Sequence, residues 1–263
     1  NKGIAAAEQL KIPYRIIDFS EEHLKIIKDP KHSYGKAINP CLDCHTLMLK
    51  KAKEILEKEN FDFVITGEVL GQRPFSQNKQ ALRTVARESG LEERLLRPLS
   101  AKLLPNTLPE KRGWVDRKQL LDIKGRSRKK QISLAKKVGL NFPQPAGGCI
   151  LTEIEFAKKL KEFFKKKPNL NGNDIQLLRI GRHFWYPEAS GKTKIVLGKD
   201  KNENQLLEQL AQPKDILIQP ANFVGPSVLI RLARGAARSQ AIKRAQKLIL
   251  SYANPKKKRP RSQ

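Results

Sequence analysis

Acidic residues, cysteines and long apolar runs are all scarce in this sequence, and each shortage narrows what the chain can be. Against 53 Lys and Arg stand only 26 Asp and Glu, a formal net charge of +27 over 263 residues. A surplus of that size favours a polyanionic partner, because basic side chains that meet phosphates release condensed counterions. Nucleic acid leads, with a membrane surface as the rival polyanion. No apolar run approaches the roughly 20 residues that a spanning helix needs, and Asn1-Lys2-Gly3-Ile4 is not a charged start followed by an apolar signal core. A cytoplasmic chain with no membrane partner is therefore expected. Three cysteines are an odd and sparse set, which argues against a secreted disulfide scaffold and predicts reduced thiols. There is no internal repeat. With 39% hydrophobic residues, the chain has enough apolar material for one sizeable core or two modest ones.

The first half alternates helical and extended patterns. Ala5–Leu10 is helix-like, Tyr14-Arg15-Ile16-Ile17-Asp18 reads as a short strand, and Glu21–Lys28 as another helix. Cys41–Lys58 reads as a long helix with Leu47, Leu49, Ala52, Ile55 and Leu56 on its buried face. Phe61-Asp62-Phe63-Val64-Ile65-Thr66-Gly67 is the strongest strand, since β-branched and aromatic residues run into a glycine, and a further strand is expected near Leu95–Leu99. Strand, helix and strand in this order predict an α/β fold, a parallel sheet with helices on both faces and ligands beyond the carboxyl ends of the strands. Trp114–Lys137 turns helical and basic, and the prolines and glycines of Phe142–Cys149 make a loop. Beyond Lys165 short strands are expected at Asp174–Ile180, Lys194–Gly198, Ile216–Gln219 and Val228–Leu232, with one helix at Glu203–Leu210. The expected organisation is a first domain over 1–165, a smaller basic α+β domain over 170–250, and a tail over 251–263 whose run Pro255-Lys256-Lys257-Lys258-Arg259-Pro260-Arg261 cannot pack and stays disordered until it meets a partner.

Chemistry gathers on the thiols. Cys41 and Cys44 form a C-x-x-C pair at a helix start, where exposed N–H groups and the dipole stabilise thiolates. Such a pair can bind metal, shuttle disulfides, carry sulfur, or be two ordinary buried thiols. Cys149, far away in sequence, follows Gly147-Gly148 in a loop where backbone can approach a ligand closely. Three cysteines suit a 4Fe-4S cluster with one iron left open, whereas structural Zn2+ would need His45 or another fourth ligand. Alone, His45 reads as a polar residue at a helix start. Thr66 and Gly67 would let a nucleotide approach the strand end, and Gln72, Arg73, Arg97 and Lys102 offer donors for phosphate charge, or else serve as surface ion-pairing residues. Arg126, Arg128, Lys129 and Lys130, with Lys256, Lys257 and Lys258 of the tail, are candidate RNA contacts or a solvated basic face.

Asn39-Pro40-Cys41-Leu42-Asp43-Cys44-His45, Asp62-Phe63-Val64-Ile65-Thr66-Gly67-Glu68, Leu96-Arg97-Pro98-Leu99-Ser100 and Gly147-Gly148-Cys149-Ile150, in this order, resemble the signatures of PP-loop tRNA thiolases, the tRNA 2-thiouridylases and 4-thiouridine synthetase-like proteins. The resemblance covers roughly residues 1–160. It implies an adenine-nucleotide alpha-hydrolase-like fold, ATP and Mg2+ as co-substrates, tRNA as partner and a sulfur donor protein or sulfide. The implied activity is a tRNA sulfurtransferase that adenylates a uridine carbonyl and replaces its oxygen with sulfur. Cys41, Cys44 and Cys149 would then hold a 4Fe-4S cluster or divide into a persulfide carrier and a resolving thiol.

One signature is missing. The family's Ser-Gly-Gly-x-Asp-Ser pyrophosphate loop does not occur, and Ser190-Gly191-Lys192-Thr193 is not a Walker turn, because Tyr186 stands where its first glycine is required, so a hairpin turn is expected there. Since the chain opens inside a helical pattern, an incomplete N-terminus is the expectation, and the 263 residues alone should be nearly inactive. The alternative is a non-catalytic RNA-binding module carrying iron-sulfur or zinc.

Overall fold

The computed structural model describes residues 2–142, 148–166, 170–189 and 191–253, and the chain divides into two compact units, Asn1–Glu153 and Ile154–Gln263. The first contains α1 (Lys2–Gln9), α2 (Ser20–Lys28), α3 (Cys41–Lys58), β1 (Val64–Ile65), α4 (Lys79–Glu88), β2 (Leu95–Leu96), α5 (Leu108–Lys111) and α6 (Lys129–Lys137). Leu49 and Leu56 lie two helical turns apart on α3 and meet Val85 and Ala86 of α4, with Leu91 and Leu95 closing the cluster. Helix α4 begins where Asn78 Oδ1 accepts the Ala81 N–H at 2.8 Å, the side-chain cap that replaces a missing intrahelical partner.

The expected fold needs correction. Among the described residues parallel strand pairing joins β1 and β2, Val64 opposite Leu95 and Ile65 opposite Leu96, beside one isolated parallel bridge between Leu70 and Lys124, and the larger sheet is four-stranded and antiparallel. The described residues contain no large parallel sheet with helices on both faces. Tyr14–Asp18 forms no strand, and Ile16 is 71% exposed, as expected of a segment with no neighbour to complete its ladder among the described residues. Only two residues of the Phe61–Gly67 run pair, and Ile65 remains 59% exposed. Trp114–Lys137 is helical only in a 3-10 turn over Arg117–Gln119 and in α6.

The second unit holds α7 (Ile154–Lys166), α8 (Gly172–Leu178), β3 (Arg182–Glu188), β4 (Gly191–Leu197), α9 (Lys201–Leu210), β5 (Ile216–Ile218), β6 (Val228–Arg231) and α10 (Arg238–Tyr252), with sheet order β3-β4-β6-β5. Glu188 pairs with Gly191, so the chain does reverse as a hairpin there. Alternation sorts the residues between two cores. Ile195, Leu197, Val228 and Ile230 pack under Ala241, Ala245 and Ile249 of α10. On the opposite face Val196 and Leu229 meet Leu177 of α8 and Leu207 of α9. Asp174–Ile180 is thus mostly helix rather than strand, because Asn171 and Asp174 form a reciprocal capping box ahead of the buried Leu177 and Leu178. Gly181 (φ +74°) leads into β3, and a Cβ there would stand 2.7 Å from Val196 Cγ1 and 2.8 Å from the Leu197 oxygen.

Arg231 of β6 fastens this sheet to its helices. Its guanidinium reaches Asp174 at 2.7 Å and Asp215 at 3.1 Å, and also the Asn173 side chain, with the two carboxylates 0% and 5% exposed. Arg231→Met should therefore cost about 3–5 kcal/mol, because it strands two buried acids. Urea unfolding of the full chain checks this, and a loss under about 1 kcal/mol would mean that water already compensates the pair.

Candidate functional site

Helix α3 presents Cys41 in its first turn and His45 one turn later on the same side. His45 Nδ1 lies 2.8 Å from Glu68 Oε1, and Arg97 Nε donates to Glu68 Oε2, also at 2.8 Å. The Thr66 hydroxyl donates to the same oxygen at 3.2 Å. With Nδ1 occupied, the other ring nitrogen is left for the hydrogen bond to Cys41. A thiol, an imidazole and a carboxylate thus stand in series, the arrangement that activates a cysteine nucleophile.

The electrostatics follow that order. Burial works to raise Glu68, but the His45 hydrogen bond and the charge and hydrogen bond of Arg97 prevail and hold it at about 2. His45, bonded to Cys41 and Glu68, rises to about 9 against its burial. Burial also works to raise Cys41, yet hydrogen bonds from His45 and Ser76 and the charges of His45 and Arg73 bring the thiol below its ordinary value. Cys44 moves the other way, to about 11, through burial and the neighbouring charges of Cys149, Cys41 and Asp43. Cys149 is exposed and lies close enough for its charge to act on Cys44. Among the described residues no group of three or more His, Cys, Asp or Glu is placed to hold a metal ion.

The other candidate residues disperse. Arg97 is buried, with a second donor to the Leu82 oxygen at 3.1 Å, so it braces Glu68. Open space surrounds Gly67. Gln72 donates its backbone N–H to Val69 in a turn, Arg73 is exposed and acts on Cys41 through its charge, and Lys102 donates to the Lys118 oxygen at 2.7 Å. Arg126, Lys129 and Lys130 are exposed and Arg128 half-buried around the start of α6, where Lys130 pairs with Asp122. Lys256, Lys257 and Lys258, and residues 143–147 of the loop before Cys149, lie outside the described residues. Sequence reasoning undervalued His45, whose i, i+4 spacing from Cys41 was the available signal, and it gave Glu68 and Ser76 no role. In the second unit α10 exposes Arg238, Lys243 and Lys247, and no acidic residue follows Asp215 in the sequence.

Two outcomes are expected of the thiol site. Iodoacetamide near neutral pH should alkylate Cys41 before Cys44, and His45→Ala should shift the onset of Cys41 labelling to higher pH; site-resolved mass spectrometry reads both. Labelling of Cys44 first, or an unmoved onset, rejects the thiolate–imidazolium pair. The same network sets a stability window. His45, raised from 6.5 to about 9, contributes fully below pH 6.5 and is lost as pH rises through about 9. Glu68, lowered from 4.5 to about 2, contributes above pH 4.5 and is lost as pH falls toward 2. Thermal unfolding across pH should show both limbs, and Glu68→Gln should flatten them.

No curated protein and no solved structure matches the chain. The thiolase resemblance is corrected by the family that is found: it is an RNA-binding domain rather than a PP-loop thiolase. The short segments behind the resemblance are accounted for locally, Cys41 and His45 by their pairing and Thr66, Glu68 and Arg97 by the buried carboxylate they share. Residues 181–261, from the glycine before β3 through α10 and beyond, match the NFACT protein RNA binding domain.

Proposed function

We propose that this chain binds RNA through its second unit and presents Cys41 in its first unit as a nucleophile for chemistry on that RNA. The match over residues 181–261 carries the binding half. It falls on a sheet whose α10 exposes basic residues in a stretch free of acids, so phosphates meet attraction without opposing charge. For the reaction we propose ATP- and Mg2+-dependent replacement of a tRNA uridine oxygen by sulfur drawn from a donor protein or sulfide. Joining the oxygen to AMP makes it a leaving group. The Cys41 thiolate, stabilised by His45, takes sulfane sulfur from a donor protein's persulfide, whose own thiol leaves. The Cys41 persulfide then attacks the uridine carbon as AMP departs. A second thiol closes a disulfide with Cys41 to free the thiouridine, and an external thiol reduces that disulfide, whereas free sulfide would have to attack the adenylated carbon directly. The supporting observation is the Cys41–His45–Glu68 series. A 4Fe-4S or Zn2+ site draws no such support, since the described thiols form no ligand group, and the sulfur chemistry is assigned to the thiols themselves. The second reading, a non-catalytic RNA-binding module, is favoured by the match being to a binding domain.

Binding of tRNA, followed by anisotropy across a salt series, should weaken steeply with salt. Neutralising Arg238, Lys243 and Lys247 together should reduce the log–log slope by about 2–3, near one for each phosphate left without its cation. Removing Pro255–Gln263 should weaken binding without altering thermal unfolding. Salt-independent binding, or none, overturns the RNA reading. Incubation with a persulfidated donor protein, read by mass spectrometry, separates the two readings without needing ATP: a persulfide on Cys41 that His45→Ala slows supports the enzyme, and an unmodified Cys41 leaves the binding module.

A further inference from the structure

The second unit contains a half-open cavity of about 650 Å³ between α7 and β3, within the size range of small-ligand sites. Its walls differ in chemistry. Lys159, Lys166 and Lys199 supply positive charge, with Lys166 paired to Glu162 at the rim and Lys199 to Glu203. Trp185 and Phe163 supply aromatic surface with ring centroids 5.2 Å apart, and His183 lies among them. We propose that this cavity takes one unstacked nucleotide of single-stranded RNA, its base against Trp185 and its phosphate among Lys159, Lys166 and Lys199. The proposal rests on the RNA-binding reading above and specifies which form of RNA is bound and where.

Three observations point to a nucleotide rather than to any anion. Lys166 Nζ stands 5.2 Å over the Trp185 ring, a cation–π contact worth about 0.5–1 kcal/mol at a partly exposed site. A stacked base is worth about 1–3 kcal/mol, more than the cation–π contact it replaces. The exposed Glu162 partner of Lys166 gives up a surface ion pair worth about 0–1 kcal/mol when the lysine turns to the phosphate. The lysines produce a strong local potential, since burial and then the charges of Lys194, Lys159 and Lys199 push His183 down to about 3. Finally, His183 has a defined tautomer. Its Nε2 lies 2.9 Å from the Ile180 carbonyl oxygen, which can only accept, so Nε2 carries the hydrogen and Nδ1 is a bare acceptor. Nδ1 is buried and has no hydrogen-bond partner among the described residues, the condition in which a base amino or imino group gains most by donating. Duplex RNA, with its bases stacked and paired, cannot enter such a site.

Titration of the full chain, in a Trp114→Phe background that leaves Trp185 as the reporter, tests this with a single-stranded oligonucleotide and a hairpin of equal length. We expect the single strand to quench Trp185 fluorescence and the hairpin to leave it unchanged. Trp185→Leu should weaken single-strand binding about 5- to 150-fold, the range for loss of one base–aromatic stack, and leave hairpin binding within about twofold. Should Trp185→Leu fail to fold, the Lys159→Gln/Lys199→Gln variant should still lower the single-strand salt slope by about 0.7, the value for one phosphate. RNA binding with unchanged fluorescence, or equal loss for both RNAs, overturns the pocket and leaves the RNA reading intact. No binding of either RNA overturns both.

Discussion

A single buried carboxylate organises the first unit. Glu68 accepts from His45, Arg97 and Thr66, which come from α3, from just beyond β2 and from just beyond β1. Left alone at that depth it would take up a proton. The two cations keep it ionised, and its charge in turn keeps His45 protonated, which brings down Cys41. The links are mutual, since the bond to Cys41 is the largest cause of the rise at His45 and His45 in turn lowers Cys41. What the network supplies is placement, a thiol of lowered pKa held at a helix start by a chain of charges that ends on a buried arginine.

The second unit uses the same device for architecture. Arg231 meets Asp174 and Asp215 within the sheet-to-helix contact. One consequence bears on binding. The sheet is covered by α10 on one face and by α8 and α9 on the other, so no open sheet face is left to serve as a broad platform for bases. Under the RNA-binding proposal, the outer surface of α10, the edge at β3 and the space beside α7 are open to nucleic acid. Exposed Arg238, Lys243 and Lys247 lie on the first of these, and the half-buried Trp185 lies on β3.

Two histidines display the electrostatics of the units most directly. Both are largely buried, yet His45 rises to about 9 while His183 falls to about 3. The difference is the sign of the company. Around His45 stand a carboxylate and a thiol that gain from a positive neighbour, and around His183 stand lysines. Ionic strength screens exposed charges beyond about 8 Å at physiological salt, so the formal +27 acts on a polyanion only at close approach.

Local order was legible in the sequence wherever a segment's own period decided it. Helix α3 spans Cys41–Lys58 as its apolar spacing required, and α9, β4, β5 and β6 fall within a few residues of the patterns that announced them. At Asp174 local signals competed, and the capping box prevailed over the apolar run. Strand β3 and helix α10 escaped notice, the first because Trp185, Tyr186 and Pro187 show no clean alternation, the second because its buried stripe is mostly alanine. The cysteines drew attention to the thiols, and the charge pointed toward a polyanionic partner. The tertiary structure alone decided that β1 pairs only with β2, that the larger sheet is antiparallel, and that Glu68 joins His45 to Arg97. Periodicity records how one segment buries its own face, whereas strand partners and buried charge pairs are settled between segments remote in sequence, where burial leaves each charge no other neighbour to satisfy it.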